Sequence, residues 1–408
     1  MNPVVLYVGT RKLLVLEAAL GEGDPRIVRH ALLKNPDGFE KGFVVHLQKA
    51  AAALQKLVEG FLPERGSSAL SAWVVLGNSK LRTYGFSSSQ YYPAGPRTLS
   101  SHEIRSVVEQ TRSIATLPLS EFILQAVPES FLVNDMAGVR DPLGLTATRL
   151  GVDLKIFTMD FQDFKNISKA FEAAEIEVEG YFPKTLAVSE AVLTSEEKEK
   201  GVVLADIADD GVSLVLWKNG NLIDTRVLPL GSRTLTAQIA ARWEIEPHDA
   251  EKVKEQFGSL NLDPQFGDEL IPLIERNGKN AHQIHRQAFQ EAFLEQAKQW
   301  LAGILSEIDS FAREKKAHHP HLVFTGGGTA GDGFLEFLQK QFSREARIGL
   351  TRKVEAPTGL LVDPSLAGAF GMVRWLAEAD RQVHRLFAPT GLVEKTLATA
   401  RDWFSAYF

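Results

Sequence analysis

Gly201–Thr236, GVVLADIADDGVSLVLWKNGNLIDTRVLPLGSRTLT, reads as three strands in a row. Val202–Ile207 is a continuous apolar run with a carboxylate, Asp206, at its end. A tight polar turn follows, Ala208-Asp209-Asp210-Gly211. Val212–Trp217 returns and is closed by Asn219-Gly220, a strong hairpin signal. Leu222–Leu230 is the third strand, and Gly231 opens what comes next. Two readings stand open: a place that holds a phosphate–Mg²⁺ group on an acid at a sharp turn, or an ordinary meander with a polar turn.

Outward from that stretch, the N-terminus carries a second copy of the pattern. Val4–Tyr7 and Leu13–Glu17 form a hairpin across Val8-Gly9-Thr10-Arg11, which implies a duplicated architecture with one turn from each half facing a shared cleft. The apolar run there is broken by Arg11-Lys12 and has no basic segment before it, so it reads as a strand pair and not as a signal peptide. No apolar run is long enough to span a bilayer. A chain of 408 residues, 44% hydrophobic and 24% charged, is an ordinary globular type with two to four domains. A net charge of -6 argues against nucleic acid as a partner. The lack of cysteine excludes disulfides and thiolate chemistry.

The spacing predicts a helix over His46–Val58, a buried strand at Ala72–Gly77, and a Ser-, Tyr-, Gly- and Pro-rich loop over Tyr84–Pro96. Ser100/Ser101 with Glu103 caps a helix through Ile114. Strands follow at Phe122–Val127, Ser130–Val133 and Leu150–Thr158, then a helix at Phe161–Glu175, a strand at Val178–Pro183, and a short apolar helix at Leu186–Leu193. Glu196–Lys200 reads as a solvated charge run. Helices are expected at Arg233–Trp243, Ala250–Gln256 and His285–Lys315 (one or two), with residues 259–281 as a polar loop. Leu322–Thr325 runs as a strand into Gly326-Gly327-Gly328, and Phe334–Phe342 is helical. Pro364–Ala379 starts with small residues that let it pack closely on another backbone. His282/His285 and His318/His319/His321 read as surface histidines rather than metal ligands.

The order of these motifs resembles the FtsA family, the bacterial cell-division branch of the actin and sugar-kinase superfamily, over nearly the full length. The most specific segment is Leu124–Thr158, with Asp141-Pro142-Leu143-Gly144-Leu145 and Arg149-Leu150. Lys41–Val45 and Leu186–Leu193 also look like the family's segments, and Val323–Gly328 resembles its adenosine motif. The resemblance implies a two-lobed actin-like (ASKHA) α/β fold with an inserted FtsA-type subdomain. Lobe one would take residues 1–78 and 159–194, the insertion 79–158, and the base of lobe two 195–232 and 313–363. Residues 233–312 would be the helical upper part of lobe two, 364–379 a helix returning to lobe one, and 380–408 a linker and amphipathic helix.

The resemblance further implies a nucleotide site. Glu251 and Lys254 would reach the ribose, and Gly326, Gly327 and Gly328 would hold the nucleoside. Gly9, Thr10, Gly211 and Gly231 would lie near phosphates, with Lys12 supplying charge and Asp206 facing Mg²⁺ through water. Two departures bear on ATP. Tyr7 stands where the family's first turn begins with Asp, and Asp209-Asp210 replace glycines of the second turn. Glycines let backbone N–H groups close on phosphate, whereas two like charges at about 4 Å repel by roughly 1–4 kcal/mol. The adenosine half is therefore expected intact and the phosphate half impaired, with at most weak ATPase activity.

After Pro389-Thr390, Gly391–Phe408 forms an amphipathic helix. Leu392, Val393, Leu397, Trp403, Phe404, Tyr407 and Phe408 share one face, and the aromatics suit an in-plane membrane helix; a terminal helix docked on the body is the alternative. The implied function is an adaptor on the cytoplasmic face of the bacterial inner membrane at the division site. It would bind the C-terminal peptide of the tubulin-like FtsZ through the upper part of lobe two and polymerise with itself. A PilM-like cytoplasmic scaffold of pilus assembly and a slow ATPase are the alternatives.

Overall fold

The computed structural model describes residues 2–40, 42–62, 69–77, 80–261, 268–274 and 281–387. Within them, two five-stranded sheets repeat one plan. In the first, Val4–Val8, Lys12–Ala19 and Arg26–Lys34 run as an antiparallel meander. Leu70–Leu76 and then Ile176–Pro183 add in parallel on the far side of Val4–Val8. In the second, Val202–Ile207, Val212–Lys218 and Asn221–Leu228 form the meander. His321–Thr325 and Arg347–Ile348 add in parallel. Both first strands are buried on both faces, which is why they read as unbroken apolar runs. The register makes Tyr7 and Asp206 equivalent: each is the penultimate residue of its strand, paired with Leu14 and with Ser213.

Between the fourth and fifth strands of the first sheet lies a separate layer. Arg82–Tyr91, Glu121–Val133, Met136–Val139 and Arg149–Asp160 form a four-stranded sheet, covered by the helix Ser101–Ile114. It has its own core, including Ile104, Val107, Phe131, Leu150 and Ile156. The helix starts in the expected capping box, Ser100 with Glu103.

Lys184–Val192 begins directly after the strand Ile176–Pro183, with Pro183 as its N-cap. It is buried on nearly all sides. The helix Ala367–Phe387 crosses it so closely that a Cβ on Gly371 would fall 1.6 Å from the Ala187 carbonyl oxygen. The small residues there serve this backbone approach, as the sequence predicts.

Several expectations are corrected. The loop read over Tyr84–Pro96 is largely the strand Arg82–Tyr91, paired residue for residue with Arg149–Thr158. Its serines bond to neighbouring polar groups instead of ending the strand: Ser87 to Asp153 and Ser88 to Thr111. The strand Arg26–Lys34 was not expected; it lies at a sheet edge with one largely exposed face. Part of the loop read over 259–281 is the strand Leu270–Ile274, which pairs with Ala281–His285. The charge run Glu196–Lys200 lies in the short helix Ser195–Lys200, where Glu197 is half-buried against Arg347. The linker expected from 380 continues as helix through Phe387, because no breaker occurs before Pro389. Lys41 and the whole amphipathic segment, Gly391–Phe408, lie outside the described residues. No described helix is long and apolar enough to cross a membrane.

Candidate functional site

The two hairpin turns face each other across a cleft of about 1040 Å³. Of the predicted residues, Gly9, Thr10, Lys12, Asp206, Glu251, Lys254, Gly326, Gly327 and Gly328 line it together. Gly211 and Gly231 do not. They sit at the base of the second turn, where a Cβ on Gly231 would fall 2.2 Å from the Asp209 carbonyl oxygen and one on Gly211 2.7 Å from that of Leu228. Backbone crowding accounts for both.

The three consecutive glycines divide in the same way. Gly326 has φ +88°, and a Cβ there would meet Asp206 Oδ1 at 2.4 Å. A Cβ on Gly328 would meet the Ile207 side chain at 2.3 Å. The nearest atom to a Cβ on Gly327 would be 3.7 Å away, so this glycine alone leaves open space on the cleft wall. Glu251 and Lys254 pair at 2.8 Å on one face of the helix Pro247–Phe257. Lys254 donates to the Thr236 hydroxyl at 2.9 Å, and Arg11 of the first turn also pairs with Glu251. Burial would raise the Glu251 carboxyl, but Lys254, Thr236 and Arg11 hold it below its usual range.

The half of the cleft between the turns is crowded with charge, and the charges answer one another. Lys184 Nζ lies 2.7 Å from Asp206 Oδ2, and both side chains are largely buried. Burial alone would depress the Lys184 ammonium; Asp206 and the neighbouring Tyr7 and Asp210 outweigh it and raise its pKa. Lys12 donates to Asp363 and to the Ser365 hydroxyl, each at 2.6 Å. Burial opposes the charge on Asp363, yet Lys12 and Ser365 hold its carboxyl below the usual range. Arg233 forks onto Asp209, with Nε at 2.9 Å. Thr10 donates to Asp210 at 3.2 Å, while burial pushes the Asp210 carboxyl up. Tyr7, buried, donates its hydroxyl to the Ser365 carbonyl at 3.0 Å, and burial raises its pKa. Arg233 thus answers the charge of Asp209 from within the chain, whereas Asp210 takes only the Thr10 hydroxyl on Oδ1, and its buried Oδ2 has no protein partner among the described residues.

The residues fit a nucleoside better than a metal ion. The wall around Gly327, Glu251 and Lys254 offers space beside a donor and an acceptor. Asp206, the expected metal-facing acid, already carries an ammonium. Among the described residues, no three His, Cys, Asp or Glu side chains come together as a ligand set. Lys184, Asp363, Ser365 and Arg11 were missed by sequence reasoning. Only Arg11, inside the quoted first turn, had a local signal.

A family model described as "Cell division protein FtsA" matches residues 203–371, and one described as "SHS2 domain inserted in FTSA" matches residues 82–158. Together they span more than half of the chain. The cell division protein FtsA of Borreliella burgdorferi is 22% identical over 98% of this chain and 97% of its own. That of Pseudomonas aeruginosa is 23% identical over 91% and 88%, and that of Escherichia coli K12 23% over 84% and 82%. Among solved structures, the PilM-PilN type IV pilus biogenesis complex superposes with a TM-score of 0.63 at 16% identity, covering 92% of this chain and 99% of that one. MreB5 of Spiroplasma citri bound to ADP gives 0.51 at 11%, covering 94% and 98%. At such identities the likeness is one of fold: two-lobed, actin-like, with the insertion at 82–158.

Proposed function

Because this chain belongs to the FtsA family of cell-division proteins, we propose that it works as an actin-like adaptor that tethers FtsZ filaments to the cytoplasmic membrane. The observation that carries the reading is the four-stranded layer inserted between the fourth and fifth strands of the first sheet. It sits on a duplicated, cleft-bearing body rather than on an isolated domain. The adaptor binds the FtsZ C-terminal peptide through the upper part of lobe two and polymerises with itself. Its amphipathic C-terminus, with Trp403, Phe404, Tyr407 and Phe408, lies in the membrane surface at the division site. The polar face of that helix offsets Lys395 and Arg401 with Glu394 and Asp402, so insertion rests on the aromatics, and polymerisation adds avidity.

The cleft takes a nucleotide in a structural or regulatory role. Its nucleoside lies against Gly327, Glu251 and Lys254, and its phosphates reach toward Thr10 and Lys12. The acids between the turns are occupied within the chain, Asp206 by Lys184, Asp209 by Arg233, Asp363 by Lys12 and Asp210 at Oδ1 by Thr10.

The test is co-sedimentation. Purified FtsZ filaments should pellet with anionic vesicles only when the full chain is present, and Trp403→Glu with Phe404→Glu should abolish this. A PilM-like scaffold is the second reading, favoured by the TM-score of 0.63. It would bind a short N-terminal peptide of a membrane protein and ignore bare vesicles. Steady phosphate release saturating with ATP would instead revive an enzyme.

A further inference from the structure

We propose that Lys184 acts where a nucleotide-bound divalent cation would otherwise sit, so that the cleft takes the phosphates of a nucleotide without any metal. The inference rests on the nucleotide reading of the same cleft and adds to it the ion requirement.

Position comes first. Asp206 is 4% exposed, and the ammonium of Lys184 stands 2.7 Å from its Oδ2. A hydrated Mg²⁺ keeps several waters and needs room for an octahedron. Beside Asp206 it would meet an ammonium already in contact, with like charges about 4 Å apart in a poorly solvated place. The equivalent position of lobe one carries Tyr7 instead of an acid, and its hydroxyl is committed to the Ser365 carbonyl.

The place of Lys184 is also built. A Cβ on Gly77 would fall 2.5 Å from Lys184 Cβ, and one on Gly368 would lie 3.5 Å from Lys184 Cγ and 2.8 Å from the Tyr7 ring. Gly77 therefore keeps open the slot through which the lysine stem passes, and Gly368 makes room for the Tyr7 ring beside it. The stem leaves the first turn of a helix fixed by Pro183, on lobe one, and its charge meets an acid of lobe two.

The charged and titratable groups facing the ammonium are Asp206, Asp210 and the Tyr7 hydroxyl. Lys184 already offsets Asp206, and burial pushes the Asp210 carboxyl up, so the spot holds little uncompensated negative charge for a dication to answer. An ammonium has three donors; the contact with Asp206 Oδ2 engages at most one of them, and the side chain lines the cleft where phosphate oxygens would come. Lys12, on Asp363 and Ser365, gives a second cation on the same wall.

The test is calorimetric titration of the full-length chain with ADP and with ATP, once in excess Mg²⁺ and once in EDTA. The expected result is wild-type affinity that agrees between the two buffers to about twofold. Lys184→Gln should weaken binding in EDTA by about tenfold or more, with Mg²⁺ recovering part of the loss. Wild-type binding that needs Mg²⁺ by about tenfold or more overturns the inference and leaves the nucleotide reading standing. A Lys184→Gln affinity unchanged in EDTA overturns it too. Absence of wild-type binding in both buffers overturns the nucleotide reading and this inference with it. The two wild-type titrations decide the matter even if the variant fails to fold.

Discussion

Tyr7 and Asp206 occupy the same place in two copies of one plan, and they differ in almost every chemical respect. Each is the penultimate residue of a strand buried on both faces, followed by a turn that looks into the cleft. The first turn carries Thr10, Arg11 and Lys12, and the second carries Asp209 and Asp210. The first turn thus presents a hydroxyl and cations, and the second presents acids. The two sets bond across the gap: Thr10 with Asp210, Arg11 with Glu251, Lys184 with Asp206. Arg233 of lobe two also approaches Glu40 at 3.5 Å. Duplication of a backbone does not duplicate its chemistry. Here the two copies have become complementary, and the lobes are joined by side chains.

The comparison breaks most severely at Lys184. Lys184→Met leaves the Asp206 carboxylate buried without its cation, and should cost about 3–5 kcal/mol in urea unfolding. Adding Asp206→Asn should return most of it. An ion pair remote from the cleft comes next. Burial opposes charge on Glu197, but Arg347 and the Thr194 cap lower its pKa to about 2, against 4.5 for the free side chain. A depressed carboxyl contributes stability above its unfolded pKa and loses it as pH falls. Up to about 3 kcal/mol should therefore fade between roughly pH 4.5 and pH 2, and Glu197→Gln should flatten that part of the profile. Arg233→Met removes the fork on Asp209 and should cost about 2 kcal/mol, with no change in the approach of Lys184 to Asp206. The smallest effect belongs to Thr10→Val, which deletes one bond between the lobes and should cost about 1 kcal/mol in the same urea assay.

How much of this was legible depended on how local the cause was. The second meander was plain because burial on both faces writes an apolar run, and Asn219-Gly220 writes its turn. The capping box at Ser100 and Glu103 needs only three residues of context. The strand Arg82–Tyr91 was hidden because its serines look like loop residues until Asp153 and Thr111 are placed beside them. Arg26–Lys34, at a sheet edge with one face largely exposed, carries too weak an alternation to stand out. In the cleft, the turns and the glycine run were legible, yet two of the three glycines answer to Asp206 and Ile207 at close range. Lys184 was illegible for a different reason. Nothing in Phe182-Pro183-Lys184-Thr185 signals a site; its meaning arises only when the helix start meets a strand of the other lobe.

The most direct measurement is crystallographic: the full chain crystallised with ADP and Mn²⁺, with diffraction recorded at the manganese edge. The account predicts nucleotide density in the cleft, Lys184 within hydrogen-bond reach of Asp206, and no anomalous peak between Asp206 and the phosphates. A manganese peak there, with Lys184 turned away, would contradict it.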